Sequence, residues 1–239
     1  MHSLNDMLGR LDEAQHVQTR FIADAAHQLR TPIAGIVTQL DLAVTDPASR
    51  DAHLDQAREG ARRLARLAQQ ILSLAAADPA SNPEAPRETC DLASIIENQA
   101  DVWIRAATPR GVEIEFDLSR APIFGNPVLV GELATNLVDN AARYGARTVK
   151  IATRRWGDKS LIEVTDDGPG IPPGQRTRIF DRFTRGNANG EGSGLGLAIV
   201  REIADRHGAS IEMTDGPERI GTRIGILFPA LEPDTRRAA

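Results

Sequence analysis

Three prolines fall within the eight residues Pro79-Ala80-Ser81-Asn82-Pro83-Glu84-Ala85-Pro86. Each ring fixes φ, removes a backbone donor and pushes the preceding residue toward extended geometry. Neither a helix nor a central strand runs through such a stretch, so the chain must fold as two parts joined there. The sequence texture changes across it.

The part before the prolines is rich in Ala, Leu, Gln and Arg and strongly helical in propensity. Leu4, Leu8, Leu11, Ala14, Gln18, Phe21, Ala25 and Leu29 follow three-four spacing, with one polar interruption. Asp46-Pro47 ends that helix. A second stripe, Ala57, Gly60, Leu64, Leu67, Ile71 and Leu74, forms a heptad seam. Two long helices with a short turn make an α helical hairpin. One hairpin leaves too much seam exposed, so two are expected to pair as a dimeric four-helix bundle, a homodimer through the hairpin.

The part after the prolines mixes helix and strand. Helices are expected at 91–108, 127–144 and 195–207. Strands are expected at 112–116, 148–153, 161–164, 210–214 and 222–228, with a Gly-, Pro- and Asn-rich loop over 168–193. That pattern predicts an α+β two-layer sandwich, with helices on one face of a mixed sheet. At 41% hydrophobic and 4% aromatic residues, its core must be built from Leu, Ile, Val and Ala. A net charge of −5 gives no electrostatic reason to expect a nucleic acid or an anionic membrane as partner. The single cysteine, Cys90, excludes an internal disulfide framework and a Cys-rich zinc site, and is expected as a small residue at a helix start. No apolar run reaches the roughly 18–20 residues that cross a bilayer, and no signal peptide opens the chain. The chain is expected to be soluble and a piece of something longer.

Three stretches carry chemistry. Asp166-Asp167-Gly168-Pro169-Gly170 follows the apolar strand residues Leu161 to Val164. A carboxylate at a strand end can accept a hydrogen bond from an exocyclic amine such as that of adenine, and glycines let backbone approach a flat ring. Gly192-Ser193-Gly194-Leu195-Gly196-Leu197 runs straight into an apolar helix. Unpaired N–H groups at that helix start suit phosphates. It is neither a Walker loop nor a dinucleotide fingerprint. Asn136 and Asn140 share one helical face, with Arg143 and Tyr144 a turn on. Amide oxygens are hard ligands that suit Mg²⁺. Each stretch alone has an ordinary reading as a turn, a loop or solvated amides. Together they are the parts of an ATP-Mg²⁺ site, and the loop between Asp166 and Gly192 reads as a lid. Phe180 and Phe183 supply apolar anchors in it, and Arg185 can reach a phosphate.

The order of these motifs resembles the Bergerat-fold (GHKL) ATPase domain of sensor histidine kinases. Phe21-Ile22-Ala23-Asp24-Ala25-Ala26-His27-Gln28-Leu29-Arg30-Thr31-Pro32 resembles the phosphoacceptor box of the same kinases. The resemblance implies that His27 takes the γ-phosphoryl group of ATP. It implies Mg²⁺ on Asn140 with help from Asn136, phosphate on Arg143, and Tyr144 lining the nucleotide pocket. It further implies the adenine amine on Asp166, a floor shaped by Gly168 and Gly170, and phosphates cradled at Gly192, Gly194, Leu195, Gly196 and Leu197. Gly221-Thr222 resembles the last small glycine box, near the adenine end.

Residues 3–15 are similar to the last helix of the relay module called HAMP. The implied layout is a HAMP-like helix end at 1–16, a dimerisation and histidine phosphotransfer domain at 17–78, and a linker at 79–89. A catalytic ATP-binding domain follows at 90–232, then a disordered tail at 233–239. Upstream sensor and membrane segments are implied, which would place the protein at the cytoplasmic side of the bacterial inner membrane. The implied partner is the receiver domain of a response regulator, whose aspartate takes the phosphoryl group.

One residue departs from the pattern. Many relatives carry an acid directly after the histidine; here it is Gln28. A neutral amide can orient the ring but cannot hold a proton, so proton removal would fall to water or a phosphate oxygen. Thr31 lies four residues after His27, and in the family that position helps place hydrolytic water, which implies phosphatase activity. Two rivals remain at this stage. One is a nucleotide-driven ATPase like the gyrase and chaperone relatives, which tend to carry Glu where Asn136 stands. The other is a kinase-silent phosphatase or nucleotide-sensing scaffold.

Overall fold

The computed structural model describes residues 25–26, 29–77, 86–182, 184, 194–229 and 231, with the side chains of 63, 66 and 69–77 left out. His27, Gln28, Phe183, Arg185, Gly192, the HAMP-like start and the tail at 233–239 lie outside the described residues. The chain divides into two compact units, Met1–Leu72 and Ser73–Ala239.

In the first unit, residues 29–45 form α1 and Arg50–Ala77 form α2. Asp46 ends α1 and caps the Pro47–Ser49 turn, accepting from the Ala48 N–H at 3.1 Å. The Ser49 hydroxyl then helps hold its carboxyl below the usual carboxylate range. The hairpin closes through His53 Nδ1, 2.8 Å from Gln39 Oε1, and Arg50 Nε, which donates to the Ala43 carbonyl at 3.2 Å. Ala25 and Ala43 are buried, and Leu29, Pro32, Ile36 and Gln39 are half-buried between them, so the inward face repeats as a heptad. On the opposing helix, Ala57 and Leu67 are buried. A Cβ at Gly60 would come within 2.8 Å of Ile36 Cγ1, so only glycine permits this approach. A second stripe on α1 stays uncovered: Ile33, Val37, Leu40 and Val44 are 47%, 51%, 45% and 77% exposed.

The second unit opens with β1 (Glu88–Asp91), which pairs antiparallel with β3 (Pro122–Gly125) as a separate ribbon. Neither strand is expected from alternation. β1 begins inside the segment read as linker, and Cys90 sits in it opposite Ile123, not at a helix start. Asp91 then caps α3 (Leu92–Ala107) through the Ala93 N–H, and its carboxylate also accepts from Ala121 at 2.8 Å.

The main sheet runs β2 (Glu113–Leu118), β4 (Thr148–Trp156), β5 (Lys159–Asp166), β7 (Thr222–Pro229), β6 (Ser210–Asp215). Only the β2–β4 pair is parallel. Between β3 and β4 lies α4 (Pro127–Arg143), and α5 (Gly196–Arg206) precedes β6. Asn126 starts α4 by accepting from the Val128 and Leu129 N–H groups. Packed against α3, α5, β4 and β5, α4 is the central helix of the layer. Its Val130, Leu133 and Ala134 are fully buried, as are Ile151, Ile162, Ile199, Ile203 and Ile226 around it. This is the aliphatic α+β sandwich expected from the composition.

Candidate functional site

The site is assembled along one side of α4. At its C-terminal end, Tyr144 caps the helix with its N–H on the Asn140 carbonyl. The Tyr144 carbonyl lies 3.3 Å from where a Cβ on Gly168 would stand, so the glycine turn after β5 abuts the helix end. Asp166, the last residue of β5, points Oδ1 at two backbone donors: the Gly168 N–H at 2.9 Å and the Thr222 N–H at 3.2 Å. Burial outweighs these bonds and raises its pKa above the ordinary 3.8.

Two glycines make this corner possible: Gly221, expected near the adenine end from its resemblance to the last glycine box, and Gly216, which no motif marks. Gly221, at φ 73°, passes so close that a Cβ would overlap the Asp166 carbonyl at 1.8 Å. Gly216 is as tightly held, its would-be Cβ 2.0 Å from the Ile220 carbonyl. Gly170, at φ +74°, packs on the Gly221 carbonyl. Arg176 ties the same loop down, donating from Nε to the Ile171 carbonyl at 2.9 Å and pairing with Asp215. Gly216, Arg176 and Asp215 belong to no motif, and only the fold brings them to this corner.

Two turns back along α4, Asn136 is only 6% exposed. Its Nδ2 donates to the Glu132 carbonyl at 2.9 Å and to Glu132 Oε1 at 3.2 Å. Its Oδ1 lies 3.2 Å from the position of a Cβ on Gly196, the first residue of α5. Gly194 turns the chain at φ 70°, and the N-cap residue Leu195 is fully buried and has no side-chain group to cap the helix start. Tyr144 and Asn136 are eight helical residues apart, about 12 Å. The glycine turn after β5 and the start of α5 therefore meet α4 at points about that far apart.

Asn140 is half-buried on the same face. Arg143 carries an ion pair with Asp139 at 3.8 Å. Before the undescribed part of the loop, Ile179 and Phe180 are buried, and Arg201 of α5 stacks 5.2 Å from the Phe180 ring centre. Asp181–Arg201 and Arg182–Glu202 ion pairs cross the same junction. Thr31 is exposed on α1.

A helical hairpin followed by a nucleotide-binding α+β sandwich defines a class: phosphoacceptor hairpins joined to an ATPase domain. Residues 17–80 match the family model described as His Kinase A (phospho-acceptor) domain. Residues 125–232 match Histidine kinase-, DNA gyrase B-, and HSP90-like ATPase. The sensor histidine kinase CusS of Escherichia coli (strain K12) is 33% identical over 238 residues, 95% of this chain and 49% of CusS. Sensor protein kinase PmrB of Pseudomonas aeruginosa is 32% identical over 240 residues, 98% of this chain and 50% of PmrB. The solved structure of the mycobacterial sensor histidine kinase MprB matches with a TM-score of 0.55 and 28% identity, covering 62% of this chain and 100% of that one. Acinetobacter baumannii histidine kinase AdeS shares the fold, with a TM-score of 0.70 over 86% of this chain and 98% of its own at 20% identity. The chain belongs to the sensor histidine kinases of two-component systems and forms the catalytic core of one, with an ATP-binding domain of the histidine kinase type. It spans about half the length of the curated relatives it matches.

Proposed function

We propose that this core transfers the γ-phosphoryl group of ATP to a ring nitrogen of His27 and passes it on to an aspartate of a response regulator. ADP leaves, and the imidazole proton goes to water or a phosphate oxygen, because Gln28 cannot take it. The observation that carries this reading is the alignment of Asp166, Tyr144, Asn136 and Gly196 along one side of α4. Asp166 accepts the adenine amine, and the glycine turns at 168, 170 and 221 admit the ring. The N-terminus of α5, from Gly194 to Leu197, receives phosphates. Arg143 serves the phosphate chain, as do Gly192 and Arg185 from the lid, in which Phe183 is an apolar anchor.

The donor set also fits Mg²⁺. Asn136 spends its Nδ2 on Glu132 and turns Oδ1, a hard acceptor, toward the start of α5, where a cation would bridge it to a phosphate. Asn136 and Asn140 would hold the ion with phosphate oxygens and water, and the ion would supply charge neutralisation.

The uncovered stripe Ile33, Val37, Leu40 and Val44 supports a homodimer through the hairpin. The response regulator is expected on the hairpin, and Thr31 is placed to assist hydrolysis of its phosphoaspartate. ATP supply puts the core on the cytoplasmic side, at the inner membrane for a full-length sensor. Among the described residues, no helix is long and apolar enough to cross a membrane.

The deciding experiment is radiolabelling with γ-labelled ATP. Expected is an acid-labile, alkali-stable label on the wild type that is absent in His27→Ala. Nucleotide binding without such a label would replace the kinase reading with a phosphatase or a nucleotide-sensing scaffold.

A further inference from the structure

Asn136 has an amide with two N–H donors and one oxygen acceptor. Both donors are satisfied by a single residue: the Glu132 carbonyl at 2.9 Å and the Glu132 carboxylate at 3.2 Å. An asparagine in a helix commonly bonds the carbonyl four residues back, which occupies one donor. The second bond, to the carboxylate, is what this chain adds. Turned over, the amide would set its oxygen against two acceptors inside a site only 6% exposed. The orientation is therefore fixed before any ligand arrives, with Oδ1 toward Gly196.

We propose that Glu132 is a positioning residue for metal-bound nucleotide: its carboxylate locks the Asn136 amide with Oδ1 presented to Mg²⁺. This rests on the magnesium reading above. A hydrogen bond to a carboxylate is stronger than one to a neutral oxygen, and it polarises the amide. Negative charge drawn toward Oδ1 strengthens its hold on a cation. The carboxylate acts as outer-shell partners of metal ligands do, by orienting and electronically tuning the ligand. Gly196 completes the arrangement, because any side chain there would crowd Oδ1.

The test is calorimetric titration of ADP into the whole chain, with magnesium and with EDTA, for wild type, Glu132→Ala and Glu132→Gln. Wild type should bind ADP more tightly with magnesium. Glu132→Ala should lose about tenfold in magnesium, the low end for loss of an outer-shell partner, and stay within about twofold in EDTA. Glu132→Gln should recover most of the magnesium effect, since its amide oxygen can still accept. In ¹⁵N spectra without nucleotide, the Asn136 side-chain NH₂ signals should shift in Glu132→Ala. Unchanged magnesium-linked affinity in Glu132→Ala would overturn the proposal. Equal losses in magnesium and EDTA would also overturn it, since Glu132 would then only support the fold. A wild type with no magnesium effect would sink the metal reading itself, an outcome told apart because no mutant is needed to see it.

Discussion

Asp166 and Asp167 are adjacent in the chain, yet their carboxyls are driven in opposite directions. Burial raises Asp166 above the ordinary value, whereas Asp167 is held below it, chiefly by the Thr148 N–H at 2.9 Å and then by that of Arg147 at 2.7 Å. One joins the glycine turn after β5 to β7 through the Gly168 and Thr222 N–H groups; the other pins the start of β4 to the end of β5.

The pair should separate binding from stability. A raised folded pKa means Asp166 favours folding below pH 3.8, and that contribution is lost as pH rises through its folded value; ionised Asp166 costs stability at neutral pH. Asp166→Asn should keep the Oδ1 bonds and leave stability unchanged or raise it by up to about 1 kcal/mol. Its NH₂ would oppose the adenine amine, so ADP affinity should fall about tenfold, the worth of one good hydrogen bond. Asp167 has the reverse sign: its contribution is present above pH 3.8 and lost as pH falls below it. Asp167→Ala should cost about 1 kcal/mol, kept small by exposure, with ADP affinity nearly unchanged. Urea unfolding and calorimetry on both variants check the split; a stability loss in Asp166→Asn with ADP affinity intact would contradict it.

His207 ends α5 with a ring buried on both sides. Nδ1–H donates to the Ile203 carbonyl at 2.7 Å, so the Nε2 lone pair accepts the Asn126 N–H at 3.0 Å and fixes the start of α4. The Phe228 ring packs edge-on at 5.9 Å. Burial lowers its pKa below 6.5. A depressed value makes the neutral form the folded one, so stability is full above pH 6.5 and declines as pH falls toward the folded value. His207→Ala should cost about 2–4 kcal/mol, from a cavity plus an orphaned N–H. Between pH 7 and pH 5 its unfolding midpoint should vary less than that of wild type. A wild-type midpoint indifferent to pH over that window would remove this role.

What the sequence makes legible depends on how locally each feature is encoded. The helical stripes repeat along the chain, and Ala25, Ala57 and Leu67 are buried where the spacing puts them. Asn136, Asp166 and Gly196 sit in contiguous motifs, and the fold brings all three to α4. β1 and β3 were invisible because four-residue strands offer too few positions for alternation, and Pro122 argues against a strand by propensity. Glu132, Gly216 and Arg176 escaped for another reason: each acts through a tertiary contact that no spacing rule records. His207 belongs to no motif, because its ring acts on Asn126, 81 residues earlier in the chain.

Gly221 should tolerate no side chain. At φ +73° an L-residue is strained, and a Cβ would overlap the Asp166 carbonyl at 1.8 Å. Either β7 or the β5 end must move, and both hold Asp166. Gly221→Ala is expected to cost at least about 3 kcal/mol and to weaken ADP binding more than tenfold. The control is Gly111→Ala: φ is +68°, but nothing lies within 4 Å of the added methyl. It should cost only the backbone strain, about 1 kcal/mol, with ADP affinity retained. Thermal unfolding with and without ADP separates them, and similar behaviour of the two variants would show that close approach at Gly221 does not matter.

The α1 stripe carries the last prediction. Ile33, Val37, Leu40 and Val44 recur at spacings of four, three and four, so they lie on one line along the helix, beside the face that meets α2. Four large apolar side chains in a row cost solubility unless something covers them, and a second copy offers the same stripe in return. Val37→Glu places a charge in the middle of that seam. Burying it would cost several kcal/mol, enough to shift the monomer–dimer equilibrium by at least about a hundredfold. The substitution lies on the outer side of α1, so the hairpin and ADP binding should survive. Sedimentation equilibrium at micromolar concentration should give a dimer for wild type and a monomer for Val37→Glu. A mutant as dimeric as the wild type would mean that the two copies meet elsewhere.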